Sequence, residues 1–85
     1  MRFVYCYSTQ DEPDAVREVA PKHAAYWHEL GLAEYIGGPF ADRSGRLISF
    51  EAPAEGGPAP RIVSNDPFQH AGLIMDWWLK IWMPQ

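Results

Sequence analysis

Asn65-Asp66-Pro67-Phe68-Gln69-His70-Ala71-Gly72-Leu73 holds an Asp-Pro turn signal, a buriable aromatic, a helix-stopping glycine and the entry to the most apolar run of the chain. Asp66 can cap the next turn with its carboxylate, and Pro67 suits the first helical position, where a missing N–H costs nothing. Gly72 then lets the chain leave a single turn with positive φ. The stretch reads as a joint between one turn of helix and a long last strand.

That strand runs from Leu73 to Met83. Alternation puts Met75, Trp77, Leu79, Ile81 and Met83 on one face, and Ile74, Asp76, Trp78, Lys80 and Trp82 on the other. The first set is expected to be core. The second is apolar at Trp78 and Trp82 with charges between them, a pattern suited to a subunit interface. Before the joint, Ala59–Ser64 is at most a short helix, and Pro53–Pro60 is a Pro/Gly/Ala loop.

Further upstream, Ala33–Phe40 and Arg46–Ala52 form a hairpin across the polar turn Ala41-Asp42-Arg43-Ser44-Gly45. Gly37-Gly38-Pro39 near the end of the first of these strands marks a bulge or a close approach to the backbone, by a ligand or by the first helix. Pro13 opens a helix in which Val16, Val19, Ala20, His23, Trp27 and Leu30 share one apolar face, and Gly31 stops it. Pro21 lies inside the pattern and is expected to kink the helix or restart it. Phe3–Ser8, rich in aromatic and β-branched residues, is a first strand with two buriable faces, hence central in its sheet.

The order strand, helix, strand, strand, short helix, strand is the split βαβ pattern of α+β ferredoxin-like folds, with an antiparallel sheet carrying helices on one face only. Two subunits pairing their bare faces would cover Trp78 and Trp82, so a homodimer is expected. The 85 residues make one domain, 1–85, and four Trp, four Tyr and four Phe exceed what one small core needs.

Several classes fall away on composition. The formal net charge is −4 with no basic cluster, which argues against a nucleic-acid partner. No run approaches membrane-spanning length, and the N-terminal apolar stretch is too short for a signal peptide, so cytoplasmic residence is the expectation. A single cysteine, Cys6, excludes an intrachain disulfide and any multi-cysteine metal site. Neither a phosphate-binding glycine loop nor a dinucleotide fingerprint is present, and no cofactor or metal is expected.

Among residues that carry chemistry, His23 stands first as a titratable group on an apolar helix face. It is either a core histidine satisfied by one hydrogen bond or a general base. A carboxylate partner on a loop would favour the second reading, and Asp66 is the candidate, since capping uses only one of its oxygens. Ser8 at the end of the first strand, Tyr26 one turn beyond His23, Gly38, Pro39 and Phe68 are the candidate ligand contacts. His28 is expected to be solvated and, five residues from His23, is badly spaced to share a metal with it. His70 reads as a surface residue of the joint.

Taken together, the aromatic first strand, Pro21-Lys22-His23-Ala24-Ala25-Tyr26, Gly37-Gly38-Pro39-Phe40 and Asp66-Pro67-Phe68-Gln69-His70-Ala71-Gly72-Leu73 resemble the YciI-like (YCII-related) family over nearly the whole chain. The resemblance implies a dimeric α/β barrel related to muconolactone isomerase, with a His/Asp pair, His23 and Asp66 here, in a pocket between sheet and helix. It further implies proton-transfer isomerisation or elimination, of the isomerase or dehydrochlorinase type, on a small oxygenated or chlorinated ring compound. The chain departs from the family at Pro53–Pro60, where a longer second helix is usual. A non-catalytic metabolite-binding module, a purely structural dimer whose His23 and Asp66 satisfy each other, and a cofactor-free oxygenase are the rival readings. A cavity beside His23, present or absent, separates the structural dimer from the rest.

Overall fold

Strand β1 (Arg2–Thr9) runs through the middle of the sheet in the computed structural model, which describes residues 1–85. It is followed by α1 (Pro13–Glu29), β2 (Ala33–Pro39), β3 (Gly45–Glu51), α2 (Ala59–Ser64), α3 (Pro67–His70) and β4 (Ile74–Trp82). The sheet order is β2-β3-β1-β4 and all neighbours are antiparallel, as two interleaved βαβ units require. The fold is therefore the expected α+β, ferredoxin-like one.

Period-two alternation divides β1 cleanly. Phe3, Tyr5 and Tyr7 are buried toward the helices, in register with Phe50, Ile48 and Arg46 of β3. On that face Trp27 of α1 lies over Tyr5 and Phe50, with ring centroids 5.9 and 6.0 Å apart. Such pairs add about 0.5–1.5 kcal/mol each beyond the area they bury. Ala59, Ile62 and Val63 of α2 close the same core. The other face carries Val4, Cys6, Leu47, Ser49 and Trp78 and has no helix on it.

α1 is one helix of 17 residues that runs through Pro21 without restarting. Pro21 and Arg17, whose carbonyl loses its partner, are both exposed, so water can satisfy the freed oxygen. His23 and Trp27 are buried one turn apart, with Val16, Val19, Ala20 and Leu30 packed around them. Gly31, at φ 57°, ends the helix in the left-handed region.

The joint forms as its residues dictate. Asp66 accepts the Phe68 N–H at 2.7 Å, Pro67 takes the first helical position, and Gly72 adopts φ 69° before β4. Two expectations need correction. The face of β4 expected to be core is not covered: Met75, Trp77 and Ile81 are 54%, 50% and 45% exposed, and the face meets the core only through Leu79, opposite Tyr5, and the edge of the Trp77 ring, 6.0 Å from that of Tyr5. β4 is an edge strand, and the helices lie over β1 and β3, so alternation marks the face without supplying its cover.

The second correction concerns the glycines. The irregularity in β2 falls between Ala33 and Ile36, where Glu34 has φ 55°, not at Gly37-Gly38. A Cβ on Gly38 would meet open space and one on Gly37 would lie 2.7 Å from the Tyr35 hydroxyl, whereas one on Gly45 would lie 1.9 Å from the Tyr7 carbonyl oxygen. Gly37 is thus approached by side chains of the sheet itself, neither ligand nor helix, and the backbone approach is made by the end of β1 at Gly45. No helix is long and apolar enough to cross a membrane.

Candidate active site

His23 and Asp66 come together from α1 and the N-cap of α3, with His23 Nε2 3.2 Å from Asp66 Oδ2 and both side chains buried. The carboxylate sits where capping puts it. Its Oδ1 accepts the Phe68 N–H, and its Oδ2 accepts the Trp27 indole N–H at 2.8 Å. Two N–H donors, with His23 Nε2 close by, offset the cost of burying the carboxylate.

Tyr7 Oη also lies 3.0 Å from His23 Nε2. With an unprotonated Nε2, a lone pair would face the Asp66 carboxylate. A tautomer with the proton on Nε2 would turn an N–H, not a lone pair, toward Asp66 and Tyr7. Nδ1 is then left bare. It has no partner within the protein and is not among the buried unpaired atoms. Phe68 stacks on the imidazole with centroids 4.5 Å apart, which fixes the ring plane.

Burial, and then the Asp66 charge, push the Tyr7 hydroxyl well above its ordinary range, with Arg46 opposing the shift. Tyr5 is raised by the same two causes in the same order, opposed by the hydrogen bond that Gln69 Nε2 donates to it at 3.1 Å. Tyr7 consequently remains a neutral phenol. In the Nε2–H tautomer Tyr7 Oη accepts from His23 and keeps its own proton to donate.

Two clefts reach His23. One, about 420 Å³, is lined by His23, Trp27, His28, Leu32, Tyr35 and Arg46 among others. The second, about 320 Å³, is lined by Tyr7, His23, Pro39, Arg43, Arg46 and Phe68 among others. An imidazole with one nitrogen held by a buried carboxylate and the other bare beside a cleft has the arrangement of a general base. The cavity beside His23 also removes the main support for a purely structural pair.

Of the expected ligand contacts, Pro39 and Phe68 line the second cleft. Ser8 and Gly38 lie on the sheet face away from α1, in register with Gly45 and Leu47, and are not brought to His23. The Tyr26 hydroxyl donates to the Ile62 carbonyl at 2.7 Å, tying α1 to α2. His28 is exposed, as expected, yet lines the first cleft. His70 Nε2 lies 3.3 Å from Asn65 Oδ1 at the surface.

Tyr7, Trp27 as a donor, and Arg46 are neighbours of the pair and its clefts that sequence reasoning missed. One signal was available for Trp27. It lies four residues from His23 on the same helix face, so a carboxylate that reaches one also meets the other, and a buried indole N–H needs an acceptor.

The fold and site define an α+β protein of ferredoxin-like topology with a buried His/Asp pair at the mouth of a cleft. The chain is similar to a solved structure of 5-chloro-2-hydroxyhydroquinone dehydrochlorinase (TftG) from Burkholderia phenoliruptrix AC1100, in complex with 2,5-dihydroxybenzoquinone. The TM-score is 0.81 at 23% identity, covering 98% of this chain and 94% of that one. No protein-family model matches the chain, and no curated protein matches its sequence.

Proposed function

We propose that the protein is a YciI-like enzyme of the lyase or isomerase type that acts on a small cyclic metabolite without a cofactor. His23 is its base, through Nδ1, and Asp66 fixes the tautomer and steadies the imidazolium that forms. The observation that carries this reading is the 3.2 Å contact between His23 Nε2 and the fully buried Asp66 beside an open cleft. The TftG likeness supports the same chemistry, since that protein is a dehydrochlorinase with a ring compound bound.

In an elimination of this kind the Nδ1 lone pair takes a proton from the substrate. The electrons released expel chloride with the C–Cl bonding pair, so the net loss is HCl and neither oxidant nor reductant enters. General acid–base catalysis contributes about 10²–10⁴-fold, which suits an already activated ring compound. The test is chloride release from 5-chloro-2-hydroxyhydroquinone, with loss of ultraviolet absorbance followed for other enolisable ring compounds. His23→Ala and Asp66→Asn are each expected to lower turnover by about 10²-fold or more. Unchanged turnover in a folded His23→Ala protein would remove the reading. Binding without turnover by the wild type would favour the metabolite-binding module.

We further propose a homodimer formed through the bare sheet face. Trp78 and Trp82 are exposed there and line an apolar groove of about 310 Å³ with Val4, Leu47 and Ile81. Sedimentation should give a dimer for the wild type and a monomer for Trp78→Glu. A monomeric wild type at micromolar concentration would contradict the proposal.

A further inference from the structure

Arg46 sits between the two clefts and lines both, as do His23 and Ala24. Its place follows from the sheet register. Arg46 pairs with Tyr7 on the helix-facing side of β3, and Tyr7 is the residue bonded to His23. No carboxylate forms an ion pair with Arg46, although the chain has 11 acidic and 7 basic residues. Its Nε is buried and has no hydrogen-bond partner. An arginine nitrogen removed from water and left unpaired costs free energy that a bound acceptor would recover.

The charge around it points the same way. Neither cleft is lined by an Asp or Glu, and the second is lined by Arg43 as well as Arg46. In a chain of net charge −4, the lining of both clefts thus carries basic groups only, with the nearest carboxylate, Asp66, buried behind His23. A cleft of one sign raises the local concentration of ligands of the other.

We propose that Arg46 binds the anionic oxygen of the substrate, so that the ligand class is a small ring compound carrying a carboxylate, phenolate or enolate oxygen. This inference deepens the reading of His23 as a base and rests on the same cleft. The guanidinium fork suits a planar oxyanion, and a charge placed there stabilises the enolate that proton removal at His23 creates. Arg46 is thus both a specificity residue, through the charge it selects, and a stabiliser of the developing anion.

The probes that test this are benzoate and benzyl alcohol, which share a ring and nearly a size and differ in charge. Each is titrated into the isotopically labelled wild-type protein, with the Arg46 Nε–H signal and the backbone amides of Ala24 and Phe68 followed by NMR. Benzoate is expected to move the Arg46 signal and to bind about ten-fold or more tightly than the alcohol. Arg46→Gln should erase that preference, and Arg46→Lys should keep part of it, because a point charge remains without the fork. Equal affinity of the two probes, no benzoate binding by the wild type, or an undiminished preference in Arg46→Gln would overturn the inference. If Arg46→Gln does not fold, the wild-type pair and Arg46→Lys decide the matter. The two readings fail separately. A charge preference that persists while His23→Ala retains full turnover supports the anion site and removes only the base. Turnover that depends on His23, with no charge preference, removes only the anion site.

Discussion

Trp27 donates its indole N–H to the same oxygen of Asp66, Oδ2, that faces His23, at 2.8 Å. The core and the candidate active site are therefore one structure. Trp27 also lies over Tyr5 and Phe50, so the residue that anchors the helix to the sheet holds the carboxylate that faces His23. Trp27→Phe keeps an aromatic ring and removes the donor. It should destabilise the fold by about 1–3 kcal/mol, the usual cost of a lost buried hydrogen bond together with a small cavity, read by urea unfolding. Turnover should fall as Asp66 loses one of its anchors. A Trp27→Phe protein with wild-type stability would mean that the indole bond contributes nothing.

Alkaline pH gives a second prediction. The Tyr7 hydroxyl is held above its ordinary value of 10.0, first by burial and then by the Asp66 charge. A group whose folded pKa is raised contributes stability that is fully present below the unfolded value and is lost as pH rises beyond it. Thermal stability should thus be insensitive to Tyr7 up to about pH 10 and fall above it, as the unfolded chain gives up a proton that the folded one keeps. Tyr7→Phe should lessen that alkaline fall, leaving Tyr5, raised by the same causes, to supply the remainder. Melting temperatures of the two proteins across pH 8–11 provide the check. Parallel curves would contradict it.

The glycines of the hairpin make a third. Gly45→Ala would place a Cβ 1.9 Å from the Tyr7 carbonyl, against backbone that cannot move without disturbing the residue bonded to His23. It should cost about 1–3 kcal/mol in urea unfolding. Gly38→Ala meets open space and should be close to neutral. Equal effects of the two substitutions would contradict the placement of β1 against the hairpin.

How much of this was legible in the sequence depends on where each determinant lies. The joint from Asp66 to Gly72 was readable because a cap, a proline and a positive φ are local requirements, met within seven residues. The apolar face of α1, the central position of β1 and the hairpin were readable from periodicity for the same reason. The cover of β4 was not, because alternation shows which residues share a face, whereas the sheet order β2-β3-β1-β4 decides that this strand is an edge. The role of Gly45 was hidden likewise, since the group that crowds it belongs to Tyr7, on another strand.

His23 and Asp66, which the structure brings together, were paired by chemistry plus a resemblance, whereas their neighbours were not. Tyr7 lies 16 residues from His23, and Trp27 lies 39 from Asp66, so only the folded chain brings these pairs together. Arg46 reads as the unremarkable start of a strand until its register opposite Tyr7 is known. Ser8 and Gly38 lie away from His23 through the same property that turns Tyr7 toward it. Neighbours along a strand point to opposite faces.

The proposed chemistry turns on a single proton. If Asp66 and Tyr7 hold it on Nε2, then Nδ1 is free to act as the base, and nitrogen-15 NMR of the labelled His23 imidazole distinguishes the two ring nitrogens directly. The predicted spectrum of the neutral ring shows Nε2 protonated and Nδ1 bare, with the Nδ1 signal moving when an acidic ligand enters the cleft. A neutral His23 protonated on Nδ1 would contradict the account, because the nitrogen beside the cleft would then have no lone pair to offer.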